Sequence, residues 1–345
     1  GGVKAIPAVL ARRAALGAAA ALALPGLARA QARSLRFTLD WTLSGSSAFA
    51  LAAQRAGFFR EEGIEARITR GFGSGRVPVD LGAGTADIGF GDFSAMARFA
   101  AENPQAGMVC VLMVFDGLPL VAVARADGPI RTPKDLEGRH IAAPEGDAGR
   151  QMFPVFADFA GFNAASVRWT NVSPELREPM LVRGQVDAIT GFVSSAVLSL
   201  KGLGMPPERQ VIMRYRDFGV PLYSNCLMTT RRFAEANPEV VRGAVRAITR
   251  GVRAMVADPA AATLAVKEAE PLVDLALETE RARLVVAEMI MTDHVRRNGL
   301  SAVDRARMAQ GLEILARVQR FPRQPTPEEL YTDAFLPGAA DRAIT

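Results

Sequence analysis

A helix exit that occurs twice, one hundred positions apart, constrains this chain more than any other feature. Leu81, Gly84 and Asp87 form a Leu-x-x-Gly-x-x-Asp motif, and Leu181, Gly184 and Asp187 repeat it. Glycine enters the left-handed region without a Cβ penalty, so each copy predicts a helix that ends near its glycine. The apolar pair after each aspartate starts a short strand, and each strand runs into a small-residue loop, 89–94 or 190–195. In open α/β sheets ligands sit beyond the carboxyl ends of strands. Two such loops predict two similar lobes facing each other across a cleft, with Asp92, Phe93 and Ser94 on one wall and Phe192 and Ser194 on the other. Asp87 and Asp187 are expected to be structural.

The flanking sequence fits that frame. Alternation over 34–40 predicts a first strand that ends on Asp40-Trp41. A polar loop over 42–47 follows, in which Ser46 or Ser47 can cap a helix over 48–59. A strand over 64–69, a flexible glycine loop over 71–75 containing Gly73 and Ser74, and a short helix lead into the first motif copy. Buried strands over 108–115 and 118–124 come next, and Asp127-Gly128-Pro129 breaks the chain. The pattern then restarts with a strand over 140–143, a helix opened by 144–149, a strand over 167–170 and a helix over 174–182. Beyond 230 the periodicity is helical, beginning at Asn237-Pro238-Glu239. The expected division is 31–124 for the first part of lobe 1, 125–221 for lobe 2, and 222–345 for the rest of lobe 1 with the C-terminal helices. The chain is expected to cross between lobes near 121–127 and 220–225, two extended segments able to act as a hinge.

Residues 1–30 stand apart. Lys4, Arg12 and Arg13 precede an apolar, alanine-rich run, and Ala28-Arg29-Ala30 offers a small-x-small cleavage site, which predicts a signal peptide, either general or twin-arginine, and a periplasmic mature chain. That segment holds four of the 41 basic residues and no acid, leaving 37 basic against 36 acidic residues. A near-neutral remainder gives no reason to expect nucleic acid as a partner. Cys110 and Cys226 both lie in apolar, strand-like stretches; an exported chain permits a disulfide between them, and two isolated buried thiols are the alternative.

Catalytic and cofactor signatures are missing from the sequence. There is no Gly-x-x-x-x-Gly-Lys-[Ser/Thr], His-Glu-x-x-His, Gly-x-Ser-x-Gly or Cys-x-x-Cys. Neither His140 nor His294 has a partner at metal-ligand spacing, so neither a metal nor a cofactor is expected, nor catalysis through either ring.

An ordered series of short motifs resembles a known family. Asp40-Trp41, Gly57-Phe58-Phe59 with Gly63-Ile64, Gly84-Thr85-Ala86-Asp87, Asp135-Leu136-Glu137-Gly138, Gly184-Gln185-Val186-Asp187 and Asn237-Pro238-Glu239 resemble the periplasmic substrate-binding proteins of ABC importers. The branch is the one that groups sulfonate, taurine, nitrate and thiamine-pyrimidine-precursor binders, called NMT1/THI5-like. The resemblance spans about residues 34–320. It implies a type II periplasmic binding fold, α/β, with two doubly wound lobes on a two-strand hinge and a helical C-terminal third packed on lobe 1. It also implies a monomeric receptor that closes on a small molecule and presents it to ABC permease subunits, the ATPase being a separate chain.

Candidate contacts follow from both readings. Trp41 offers a flat face for an aromatic ligand beside Asp40. Ser44, Ser46 and Ser47, and Gly146 with Asp147, place backbone N–H groups at helix starts that suit an anion, with Arg76 or Arg150 available to add charge. Tyr223, Ser224 and Asn225 lie at the second crossing. The ligand is thus either thiamine-pyrimidine-like or another heteroaromatic, or a sulfonate, taurine, nitrate or similar anion. A pyrimidine synthase of the same superfamily depends on a histidine and a cysteine-rich motif that this chain lacks. A transcription-regulator effector domain of this fold needs an N-terminal helix-turn-helix, which 1–33 does not supply.

Overall fold

Among the described residues ten strands form two five-stranded sheets built to one plan. The computed structural model describes residues 1–2 and 31–345, so the predicted signal peptide lies outside the described residues. Ala32–Thr345 folds as one unit. In sequence order the strands are β1 (Arg33–Thr38), β2 (Ile64–Thr69), β3 (Ile88–Asp92), β4 (Met108–Met113), β5 (Leu120–Arg125), β6 (His140–Ala142), β7 (Arg168–Thr170), β8 (Ala188–Phe192), β9 (Gln210–Arg214) and β10 (Asn225–Thr230). The first sheet has the order β2-β1-β3-β10-β4 and the second β7-β6-β8-β5-β9. In each, three parallel strands come from successive β-α-β units, and one antiparallel strand is inserted beside the third.

The motif copies occupy matching places. β3 and β8 are the third strands of their sheets, and Gly84 and Gly184 leave their helices at φ +75° and +72°. Asp87 accepts from the Arg36 amide at 2.8 Å while its own amide donates to Arg36 O at 2.9 Å. Asp187 repeats both bonds with His140, at 2.9 and 2.8 Å. Each aspartate therefore clips the third strand to the first at the edge remote from the cleft, a structural role.

Three expectations need correction. The segments 89–94 and 190–195 are not loops: β3 runs through Asp92 and β8 through Phe192, and the helices Phe93–Glu102 and Val193–Gly202 begin at once. Their glycines answer to packing. A Cβ on Gly89 would lie 2.4 Å from Val77 Cγ1, and one on Gly191 would lie 2.6 Å from Arg177 Nη1. The 71–75 loop is not free either, because Gly71 N donates to Trp41 O at 2.9 Å and Gly73 N to Asp40 O at 2.8 Å. Finally, β5 pairs with β8 and β9, so the first crossing is 114–119 and strand 120–125 belongs to the second sheet, ahead of the expected boundary at 124.

The helical C-terminal third covers the first lobe. Helix Pro238–Ala257 lies so close to helix Ala48–Arg55 that a Cβ on Gly251 would sit 2.2 Å from Phe49 O. It also braces both crossings: Gly117 N donates to Met289 O at 2.9 Å, and Arg307 donates to Leu222 O at 3.0 Å. Cys110 and Cys226 are buried free thiols on the paired strands β4 and β10. Burial, then the neighbouring Cys110 thiol, pushes the Cys226 thiol well above its ordinary value. Among the described residues no helix is long and apolar enough to cross a membrane.

Candidate ligand-binding cleft

The cleft lies where the carboxyl ends of β1 and β3 meet those of β6 and β8. On the first-lobe wall Asp40 follows β1, Asp92 ends β3, and Asn225 starts the antiparallel β10 directly opposite Asp92. Asn225 Nδ2 donates to Asp40 Oδ2 at 3.0 Å, spanning β3. Asp92 caps the helix Phe93–Glu102 by accepting from Ala95 N at 2.8 Å. On the facing wall Asp147 caps the turn Ala148–Gln151 through Arg150 N at 2.8 Å and accepts from Thr190 Oγ1 at 2.8 Å.

The walls are in contact. Ser46 and Ser194 share a hydrogen bond of 3.0 Å across the seam, and Gly75 N donates to Gly146 O at 2.9 Å. Arg177 lies over the Trp41 ring, 4.4 Å from its centroid, and Arg70 pairs with Glu175. Helix Leu275–Val285 ties both sides: Glu278 accepts from Gly45 N at 2.7 Å, while Arg281 donates to Ser194 O at 2.6 Å and Ser195 O at 3.1 Å. This is a closed arrangement of the lobes. A cavity of about 360 Å³ is lined by Trp41, Ser44 and Arg70 among others, and one of about 540 Å³ by Phe72, Gly75, Gly146 and Ser173.

Of the predicted contacts, Asp40, Trp41, Ser46, Gly73, Ser74, Asp92, Gly146, Asp147, Ser194 and Asn225 come together at this seam. Ser74 O holds the end of β3 by accepting from Asp92 N at 3.0 Å. Others are turned to structural work. Ser44 caps Ser46 N at 3.2 Å, and Ser47 donates to Ser44 O at 3.3 Å. Phe93 packs on Tyr223 and Phe192 on Phe115. Ser94 Oγ donates to Tyr223 O at 3.0 Å. The Tyr223 hydroxyl accepts from Asp304 N at 2.9 Å, and its ring lies under Arg307, so its polar end serves the C-terminal helices and not the cleft. Arg76 pairs with Asp80, and Arg150 donates to Ala143 O beside Trp169. The histidines are remote, His140 at the far edge of β6 against Thr170 and His294 against Ala302 O. Among the described residues no group of three or more His, Cys, Asp or Glu is placed to hold a metal.

Sequence reasoning missed Arg177, Glu178, Glu278 and Arg281. Arg177 is 1% exposed, with Nε and Nη2 on Glu178 at 2.9 and 2.7 Å and Nη1 on Asp147 at 3.3 Å. A charged residue in a short helix reads as solvated; the unpaired signal was Gly191, which makes room for the guanidinium.

Burial sets the protonation of this wall. It is the largest influence on Asp40, pushed up to about 7 against the hydrogen bond from Asn225. Asp92 is likewise pushed up to about 7, first by burial and further by the charge of Asp147. A carboxyl with a raised native pKa binds protons more tightly when folded, so its stabilisation is full below about pH 4 and is lost as pH rises through about 7. Asp135, Glu175 and Glu329 are shifted downward, and their contribution changes only at lower pH. The stability of the ligand-free protein, and with it the unfolding midpoint, is therefore expected to fall between about pH 5 and about pH 8, the stability by the order of 1–3 kcal/mol per buried carboxyl, with a shallower slope in Asp40→Asn. Calorimetry across that interval is the check, and a rising midpoint would count against the assignment.

The family model described as NMT1/THI5 like matches residues 45–262, more than half of the chain. The chain belongs to the NMT1/THI5-like family. Among curated members and relatives it is similar to the riboflavin-binding protein RibY of Chloroflexus aurantiacus, 23% identical, covering 84% of this chain and 82% of that protein. It is also similar to the 4-amino-5-hydroxymethyl-2-methylpyrimidine phosphate synthase of Legionella pneumophila, 22% identical, covering 62% of this chain and 66% of that protein. Among solved structures, the alkanesulfonate-binding protein SsuA from Xanthomonas axonopodis pv. citri bound to MOPS has TM-score 0.66 at 14% identity, covering 88% of this chain and 100% of that one. The periplasmic aliphatic sulphonate binding protein SsuA from Escherichia coli has TM-score 0.64 at 15% identity, covering 89% and 94%. These likenesses give this NMT1/THI5-like chain the periplasmic-binding-protein fold, two lobes with a helical C-terminal region, as the motif series implies.

Proposed function

We propose that the chain is the solute receptor of an ABC import system, closing on a heteroaromatic solute of the thiamine-pyrimidine kind and delivering it to membrane permease subunits, with the ATPase on another chain. The observation that carries the reading is the seam itself. Two lobes of one plan meet along the carboxyl ends of their strands, with buried polar groups on both walls and an aromatic ring at the mouth. Closure then draws on the ligand's greater affinity for the closed lobes. The role is that of a binder and not a catalyst: the two seam hydroxyls, Ser46 and Ser194, bond to each other, and both histidines lie elsewhere. The receptor acts as a monomer in the periplasm, after loss of residues 1–30.

The names of RibY and the Legionella synthase favour a nitrogen heterocycle. The sulfonate-binding structures favour a second reading, a small organic anion. A thermal-shift panel of riboflavin, thiamine, 4-amino-5-hydroxymethyl-2-methylpyrimidine, taurine, an alkanesulfonate and nitrate separates the two. A heteroaromatic at about a hundred times its Kd should stabilise the protein by about 2.7 kcal/mol. Stabilisation by the anions alone would replace the first reading with the second.

A further inference from the structure

We propose that the cleft selects its solute by an N–H-bearing edge, read by three oxygens on the first-lobe wall: Asp92 Oδ1, Asn225 Oδ1 and Ser224 Oγ. The inference rests on the heteroaromatic reading above and goes further, since it says which edge of the ring system is recognised. All three atoms are buried and lack a partner in the protein, and their residues are 0% exposed. A buried polar group left unpaired is costly, so three unpaired where β3 ends and β10 begins mark a place where a ligand supplies the partners. They are neighbours by construction: Asn225 stands opposite Asp92 in the ladder, and Ser224 O accepts from Phe93 N at 2.9 Å.

Their chemistry is that of acceptors. Asn225 has spent its amide nitrogen on Asp40, which leaves its buried oxygen without a donor. Asp92 has spent Oδ2 on Ala95 N, and Ser224 brings a hydroxyl that accepts or donates. Among the described residues no free cation offsets them. Arg177 is held by Glu178 and Asp147, and Arg281 by Glu278 and two backbone carbonyls. Arg70 Nη2 is unpartnered too, but at the mouth, where Glu175 balances the charge and Phe72 covers the guanidinium. Arg177 is committed to Asp147 and Glu178, so an anion finds no free positive charge, and an amino-substituted ring meets three acceptors.

Matched ligand pairs test this on the full chain by titration calorimetry. One pair is 4-amino-2-methylpyrimidine and 2,4-dimethylpyrimidine, in which a methyl replaces the amino group; the other is riboflavin and its N3-methyl derivative. The N–H member of a binding pair should be bound about tenfold more tightly, as leaving a buried acceptor unpaired entails. In Asp92→Asn, which keeps an oxygen for the helix cap and turns an NH2 toward the ligand, that preference should vanish. Equal affinity within a pair that binds overturns this inference and leaves the heteroaromatic reading standing. Binding of an alkanesulfonate with no member of either pair bound overturns both.

Discussion

Replacing Arg177 by methionine is expected to destabilise the protein by about 3–5 kcal/mol, because it leaves Asp147 and Glu178 charged and buried with no cation between them. In a chain of this size that is a fall in unfolding midpoint on the order of 10 °C. The side chains concerned are 1%, 5% and 6% exposed, so solvent does not screen the loss. The Arg70–Glu175 pair gives the contrast, since at 32% and 51% exposure it belongs to the class worth under about 1 kcal/mol. Adding Asp147→Asn and Glu178→Gln to Arg177→Met should restore much of the stability, since the neutralised partners no longer need a counter-charge. A single variant as stable as the parent by calorimetry would show that these carboxyls do not depend on the guanidinium.

The second large effect concerns closure. Gly73 has φ +131°, and a Cβ there would lie 2.2 Å from Gly146 O and 2.3 Å from its carbonyl carbon, atoms of the opposite lobe. Backbone cannot yield as a flexible side-chain end does, so Gly73→Ala wedges the lobes apart. Apparent affinity scales with the fraction of molecules able to reach the closed state, and a fall of about a hundredfold or more is expected. Gly84→Ala is the control. Gly84 also has positive φ, +75°, but nothing lies within 4 Å of its Cβ position, so it shares the backbone strain and not the collision. Its ligand affinity should match the parent's.

How much of this was legible depended on whether the signal was local. The duplicated helix exit was, because Gly84 and Gly184 need positive φ and Asp87 and Asp187 make their clip bonds to the first strand of their own lobe. From that repeat the two-lobed plan follows, and with it Asp40 and Asp92 at strand ends and Asp147 at the helical turn beyond β6. What the residues did not disclose is set by partners distant in the chain. Gly89 and Gly191 read as loop residues, and only the packed Val77 and Arg177 reveal them as points of close approach. β5 reads as the last strand of lobe 1, although its pairing with β8 and β9 puts it in the second sheet. Tyr223 sits at the crossing as expected, yet Asp304 and Arg307, more than eighty positions on, turn its hydroxyl away. Glu278 and Arg281 look like a surface ion pair on a C-terminal helix and instead lock the seam between the lobes.

The central claim, that this cleft closes on a nitrogen heterocycle, is tested most directly by titrating the parent, Gly73→Ala and Gly84→Ala with riboflavin and 4-amino-2-methylpyrimidine, alongside taurine and an alkanesulfonate. The account predicts that a heterocycle binds the parent and Gly84→Ala with equal affinity, that Gly73→Ala loses it, and that neither sulfonate competes. Tight sulfonate binding with no response to either heterocycle, or a heterocycle bound equally well by Gly73→Ala, would contradict it.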